Sequence, residues 1–491
     1  MISVSLGIPL DLFLDEITSS GGSVVAPSFF SRTEFYVQQT GSNLNAGSTT
    51  SDAALATYTN SAVAGWNSGT GVFEVASGNP VSDGVTVGMF ASVYVTAGAT
   101  VATFVARITA VTSTQITVSL TAKSGTAPST DTAGARTLKV GGAWAGPSGS
   151  VGFPFTFVAG TMTNAAGAAP RVNYKNTADY TSTANWAITA AGITCHQAYA
   201  STPGDGGRAR IKGPTTGASY SLLTLSSSYV TIADFDFQDN GATGSSALVS
   251  NPTTTNMLLR CSAHGSRGRG IDSTALSSLV ECEGYDCNKN NSTYTGGLHI
   301  ATAGSHVVRC AAHNNRNGTN GSGMTSDTSI YFTECLFFNN QNNGYETNAD
   351  TNITLDNCDV YDNGGHGLLF SGGSTTMLSS IRNCNFVSNG LYGINFRSFG
   401  HVGCFCGNRF GAGTEANTSG DANVTEPWAM NCGNNGSYAS NVTPWSGPNS
   451  GIFNIVLAAA IGAGAGSFTA EGNGFGSTVG YPDIGAAEKQ P

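Results

Sequence analysis

Leu258-Leu-Arg-Cys-Ser-Ala-His-Gly-Ser266 sets the frame of this chain. The same pattern returns as LVECEGYDC over Leu279–Cys287, VVRCAAHNN over Val307–Asn315 and YFTECLFFNN over Tyr331–Asn340. It recurs again as TLDNCDVYDN over Thr354–Asn363 and SIRNCNFVSN over Ser380–Asn389. Aligned on Cys261, Cys282, Cys310, Cys335, Cys358 and Cys384, the spacings are 21, 28, 25, 23 and 26 residues. Three residues before each Cys stands an apolar residue, from Leu258 to Ile381, and two after it a small or apolar one, from Ala263 to Phe386. Five after it come Asn315, Asn340, Asn363 and Asn389. Further on, a Gly followed by a bulky residue opens another strand: Gly270-Ile271, Gly297-Leu298, Gly323-Met324, Gly344-Tyr345, Gly367-Leu368 and Gly393-Ile394.

A repeat of this length, with short alternating segments split by Asn and Gly turns, is one coil of a parallel β-helix. Equivalent residues then stack about 4.8 Å apart into ladders: Cys as a small buried hydrophobe, Asn as an amide stack at a bend. The frame extends one coil upstream with Phe235 in the Cys slot, between Ile232 and Phe237.

Composition agrees. Charged residues are 10% of the chain and Gly is 65 of 491, which suits turns and short strands and weakens helices. The net charge is −10, with basic residues scattered, which argues against a nucleic-acid partner. No apolar run approaches a membrane span. The first basic residue is Arg32, so the apolar start, Ile2 to Leu14, does not read as an ordinary secretory signal.

Working outward, residues 1–33 read as an extension suited to pairing with another subunit. Residues 34–51 and 147–410 read as the β-helix, and 52–146 as an inserted antiparallel barrel or sandwich. That insertion is marked by the period-two runs Phe90–Val95, Phe104–Val111 and Gln115–Leu120. Residues 411–491 are expected to cap the open end. The fold class is all-β.

The coil pattern resembles the right-handed parallel β-helix repeats of the pectate-lyase-like superfamily. Phe35-Tyr-Val-Gln-Gln-Thr-Gly-Ser is similar to the entry strand of bacterial β-helix surface proteins, and Tyr481-Pro-Asp-Ile-Gly-Ala-Ala-Glu488 to the tail that closes many of them. The resemblance implies the fold and leaves function open among lyases, hydrolases, phage tailspikes, adhesins and fibre proteins.

Five features bear on function. Arg260, Glu281, Arg309 and Glu334 precede Cys on successive coils, and their alternating sign reads as a structural ion-pair ladder. His264, Tyr285, His313, Phe338 and Tyr361 stand three after Cys and read as an exposed aromatic column for a glycan or a second subunit. The run His264–Asp272, with Arg267 and Arg269, could seat an anionic sugar but reads more simply as a solvated turn. Asp356, Asp359 and Asp362 form a weak calcium candidate, and Cys404-x-Cys406 a weaker metal candidate. Otherwise no cofactor is expected. No catalytic constellation is legible. These readings favour a self-assembling, non-catalytic subunit of an extracellular or cell-surface fibre, with copies of itself as partner. The alternatives are a carbohydrate-binding or carbohydrate-cleaving β-helix, such as a tailspike, polysaccharide lyase or glycoside hydrolase, or a glycan-binding adhesin.

Overall fold

The computed structural model describes residues 34–145 and 171–395, except 39, 43, 100–103, 183–184, 189–193, 218–219, 242–245, 292–294, 316–319, 348–351 and 371–376, with isolated strands beyond 400. The proposed assembly strand at 1–33 and most of the proposed cap at 411–491 lie outside the described residues. The protein is all-β, a right-handed parallel β-helix carrying one curled antiparallel sheet. It divides into two compact units.

The second unit, Gly213–Leu222, Asp236–Pro252 and Met257–Pro491, holds the Cys-centred coils. Each coil crosses three faces. The first face runs through Ser277–Val280, Ser305–Val308, Ile330–Thr333, Ile353–Asp356 and Met377–Arg382. The second runs through Ser262–His264, Glu283–Tyr285, Ala311–His313, Leu336–Phe338, Asp359–Tyr361 and Asn385–Val387. The third runs through Val249–Asn251, Ile271–Ser273, Thr295–Ile300, Gly321–Ser326, Tyr345–Thr347, Leu368–Phe370 and Tyr392–Asn395. Pairing is parallel and in register: Leu279, Val307, Phe332, Leu355 and Ile381 align on the first face. Ile271, Leu298, Met324, Tyr345, Leu368 and Ile394 align on the third. All of these are buried.

The residue before Cys turns the chain from the first face to the second. Arg260, Glu281, Arg309, Glu334, Asn357 and Asn383 all adopt φ of 50–54°. A second left-handed bend, four residues after Cys, ends the second face at Asp239, Asp286, Asn314, Asn339, Asp362 and Ser388, with Gly265 in the same register. Asn and Asp tolerate this conformation, which Arg and Glu adopt only at a cost. The six cysteines follow the first bend as a buried column, and Cys282 N–H donates to Cys310 Sγ at 3.3 Å.

Behind the second bend lies an amide ladder. Asn315 Nδ2 donates to Asn340 Oδ1, Asn340 to Asn363 and Asn363 to Asn389, each at 2.9 Å. Cys287 occupies the same slot one coil earlier, its N–H donating to Asn315 Oδ1. The ladder explains the Gly that opens the third face. A Cβ on Gly367 would lie 2.5 Å from the Gly393 carbonyl oxygen and 3.0 Å from Asn389 Nδ2.

The first unit carries the entry strand Glu34–Val37, which pairs in parallel with Arg171–Lys175. Between them the chain leaves to form the antiparallel sheet. Its order is Ala56–Thr59, Arg136–Val140, Phe90–Val95, Phe104–Val111, Gln115–Gly125, Val72–Glu74, Trp66–Asn67. Bridges Asn60 to Val75 and Trp66 to Asp131 curl it around a core of Trp66, Phe73, Phe104, Ile116 and Leu138. Phe35 stacks on Trp144 with centroids 5.3 Å apart. Tyr174, Trp186, His196 and Phe235 form a second aromatic core in this unit.

Candidate functional site

The Gly-Φ register fixes a further column, in which Asp272, Glu346 and Asn395 are partly exposed while His299, Thr325 and Leu369 are buried. One residue after each bulky residue, on the opposite side of the third face, stand Asp272, His299, Thr325, Glu346, Leu369 and Asn395. Just before the opening Gly stand Arg269, Ser322, Asn343, His366 and Tyr392, with Gly296 between the first two. The two columns touch. Arg269 Nη1 is 3.1 Å from Asp272 Oδ1, and Glu346 Oε2 accepts from Ser322 Oγ and Asn343 Nδ2, each at 3.0 Å. Asn395 Nδ2 lies 3.0 Å from His366 Nε2, and His366 stacks on Tyr392.

His299 is the centre of this track. Its Nε2 lies 3.9 Å from Asp272 Oδ1 and 3.4 Å from Asp327 Oδ2, and its Nδ1 is 2.8 Å from Thr325 Oγ1. Asp327 follows the strand Gly321–Ser326 and is anchored by its N–H, which donates to the Ile300 carbonyl. Burial, with Arg269 nearby, pushes the His299 imidazole down to about 3, so the ring is neutral at ordinary pH. Burial also raises the Asp272 carboxyl above its usual range, against the pull of Arg269. Asp327 is 47% exposed. One shielded carboxyl with a raised pKa and one solvent-facing carboxylate therefore meet the same imidazole. Both oxygens lie within 3.9 Å of one nitrogen, so they are separated by at most about 7 Å.

Of these residues, the sequence reading had singled out Arg269 and Asp272, as part of the run from His264. The structure divides that run. His264 stands on the second face, its Nε2 3.1 Å from Asp236 Oδ1, while Arg269 and Asp272 join His299 on the third. His299, Thr325, Asp327 and Glu346 were missed. The signal lies in the residue two past each Gly, which is polar at every level except Leu369, a ladder counted from Gly and not from Cys.

The aromatic column needs a correction. His264, Tyr285, His313, Phe338 and Tyr361 do stack, ring on ring, at 4.6, 5.2, 4.6 and 5.0 Å with planes within 12°. They are not an exposed surface. His313 is fully buried, Phe338 and Tyr361 are 6% exposed, and the first two are partly buried. Parallel rings one coil apart cover each other's faces, and His313 Nε2 is locked to Glu283 Oε1 at 2.7 Å.

The charged ladder is centred on Arg309, which lies 2.8 Å from Glu281 and 3.9 Å from Glu334; all three side chains are partly exposed. The three aspartates weighed for calcium fall in different places. Asp356 pairs with Arg382 at 3.0 Å, Asp359 accepts from Asn385 Nδ2 on the second face, and Asp362 is a left-handed bend residue. Among the described residues, no group of three or more His, Cys, Asp or Glu is arranged to hold a metal ion. Cys404 and Cys406 lie on a strand whose side chains are outside the described set. Among the described residues no helix is long and apolar enough to cross a membrane.

No family model and no curated protein matches this chain. Solved structures do. Pectate lyase Pel9A is 17% identical, covering 65% of this chain and 88% of its own, with a TM-score of 0.48. The A-module of mannuronan C-5 epimerase AlgE4 from Azotobacter vinelandii is 14% identical, covering 56% and 85%, with a TM-score of 0.36. The Dettilon tailspike protein is 10% identical, covering 55% and 63%, with a TM-score of 0.35. At these identities the likeness is one of fold alone.

Proposed function

We propose that this protein is a glycan-cleaving β-helix acting outside the cell, with its reaction centre at Asp272, His299 and Asp327. The observation that carries this is the placement of two unlike carboxyls beside one buried, neutral imidazole. Hydrolysis of a glycosidic bond needs one carboxylic acid to protonate the leaving oxygen and one carboxylate to activate water or attack carbon. Asp272, held toward its protonated form by burial, suits the acid role. Asp327, facing solvent beside it, suits the second. His299 lies between them, and Arg269, 3.1 Å from Asp272, orients that carboxyl. Further along the same face Glu346, Tyr392 and Asn395 are partly exposed, and their polar groups suit the hydroxyl-rich length of a sugar chain.

This reading departs from the fibre subunit favoured by the sequence. That preference rested on the scarcity of charged residues, the apolar extension at 1–33 and the lack of a legible catalytic constellation, and the meeting of Asp272, His299 and Asp327 weighs against the last of these. Self-assembly through residues 1–33 remains compatible with it as a separate property.

Release of reducing ends from a panel of neutral and acidic polysaccharides tests the proposal. Wild type should cleave at least one member, and Asp272→Asn and Asp327→Asn should each lose about 10²–10⁴-fold in rate. Cleavage that persists in both variants would sink it.

A further inference from the structure

The proposed reaction centre leaves open which glycans the track admits, and its charges bear on that. Three carboxyl groups lie along the track, Asp272 with its pKa raised by burial, Asp327 beside the columns and Glu346 within them. One guanidinium lies among them, and Arg269 is already committed to Asp272. His299 is neutral. Arg267, from the bend before Arg269, forms no ion pair among the described residues and meets none of these carboxylates. The balance along the track is therefore negative, in a chain of net charge −10.

Glu346 is the informative member. One oxygen, Oε2, is pinned by Ser322 Oγ and by Asn343 Nδ2. Asn343 is itself buried, and its Oδ1 accepts the His366 N–H at 2.9 Å. The carboxylate is thus fixed in direction by side chains that cannot turn. The other oxygen, Oε1, makes no hydrogen bond among the described residues. Glu346 sits two coils beyond His299, roughly 10 Å along the stack. A fixed carboxylate oxygen on a partly exposed face accepts hydrogen bonds from sugar hydroxyls and repels a second carboxylate. A structural ion pair would need a cation, and the described contacts of Glu346 include none.

We infer that the glycan bound along this track is uncharged, and that Glu346 both grips its hydroxyls and turns acidic sugars away. The inference rests on the glycan-cleaving reading and adds to it the substrate class. Nothing in it requires the track to bind uronic acids or sulfated sugars, and the negative balance disfavours both.

The test compares binding of neutral and acidic hexasaccharides to the full chain by calorimetry. The neutral probes are cellohexaose, laminarihexaose, maltohexaose and a nigero-oligosaccharide; the acidic ones are oligogalacturonate and oligomannuronate. Wild type should bind at least one neutral probe, with an affinity that added salt leaves unchanged, and should bind acidic probes weakly at low salt. Glu346→Gln keeps the shape and both polar contacts in part while removing the charge. It should weaken the neutral probe about tenfold or more and narrow the gap to the acidic ones. Glu346→Asp, which keeps charge but shortens the reach, should weaken the neutral probe without admitting acidic ones. Tighter wild-type binding of an acidic probe would overturn the inference and leave glycan cleavage standing. Neutral preference unaffected by either variant would remove Glu346 from the site. Binding of no probe at all would remove both the inference and the reading beneath it.

Discussion

Asn340 Nδ2 donates to Asn363 Oδ1 at 2.9 Å, one coil to the next, with both side chains buried. Each amide in this ladder serves two neighbours: Asn340 Oδ1 accepts from Asn315, and its Nδ2 also reaches the Ala312 carbonyl at 3.1 Å. The ladder fixes the bend at which the second face ends, and so the angle at which Thr325 and Glu346 are presented on the third; the coils of Asp272 and His299 carry Ser266 and Cys287 in that slot.

Asn340→Ala therefore strands polar groups that have no water to replace their partner. Each should cost about 1–3 kcal/mol. Urea unfolding should show a lower midpoint with the slope unchanged. A midpoint equal to wild type would mean the ladder contributes nothing to stability.

The bend before Cys offers the opposite change. Glu334 adopts φ 54° where Asn357 and Asn383 occupy the same register. Its ion pair with Arg309, at 3.9 Å and partly exposed, contributes little. Glu334→Asn should leave stability unchanged or raise it by up to about 1 kcal/mol, and Asn383→Val should lower it by a similar amount or more. Thermal melts of both variants check the pair.

Phe338→Ala and Tyr361→Ala open voids in a stacked, buried column. Losses of about 3–5 kcal/mol are expected, as for other core aromatics. If instead both variants melt like wild type but lose glycan retention, the column is a binding surface after all.

Acid should weaken the first unit through His196. Burial pushes its imidazole down to about 3, beside Tyr174 Oη at 2.9 Å from Nδ1, whereas the unfolded chain titrates near 6.5. Between those values the unfolded state binds one more proton, so stability is complete above pH 6.5 and falls as pH drops, by about 1.4 kcal/mol per unit. His196→Gln should flatten part of that slope in unfolding curves taken at pH 7, 6 and 5. His299 adds a share of its own in the second unit.

The buried thiols should be inert in the folded protein. Burial raises Cys282, Cys335 and Cys358 well above the usual thiol range and Cys287 to about 12. Iodoacetamide followed by peptide mapping should leave these four unmodified until denaturant is added.

The coil, its length and its inward residues were legible because period-two alternation and a fixed turn chemistry repeat at every stack level. A ladder of Cys or of Asn is a one-dimensional fact, and the chain states it six or four times. The site was less legible. Asp272, His299 and Asp327 are separated by turns of differing length, and no local motif joins them. Asp327 stands outside the repeating register altogether.

The sequence by itself determined the parallel stack, the two bends per coil and the identity of the inward ladders. Each follows from local backbone preference and from burial of every second residue. Only the tertiary structure decided which outward columns are open. It closed the aromatic column by stacking rings at coil spacing, and it brought Asp272 and Asp327, from the coils on either side, to the His299 imidazole. Exposure and side-chain meeting depend on how neighbouring coils cover one another, and that is a property of the assembled stack and not of any single repeat.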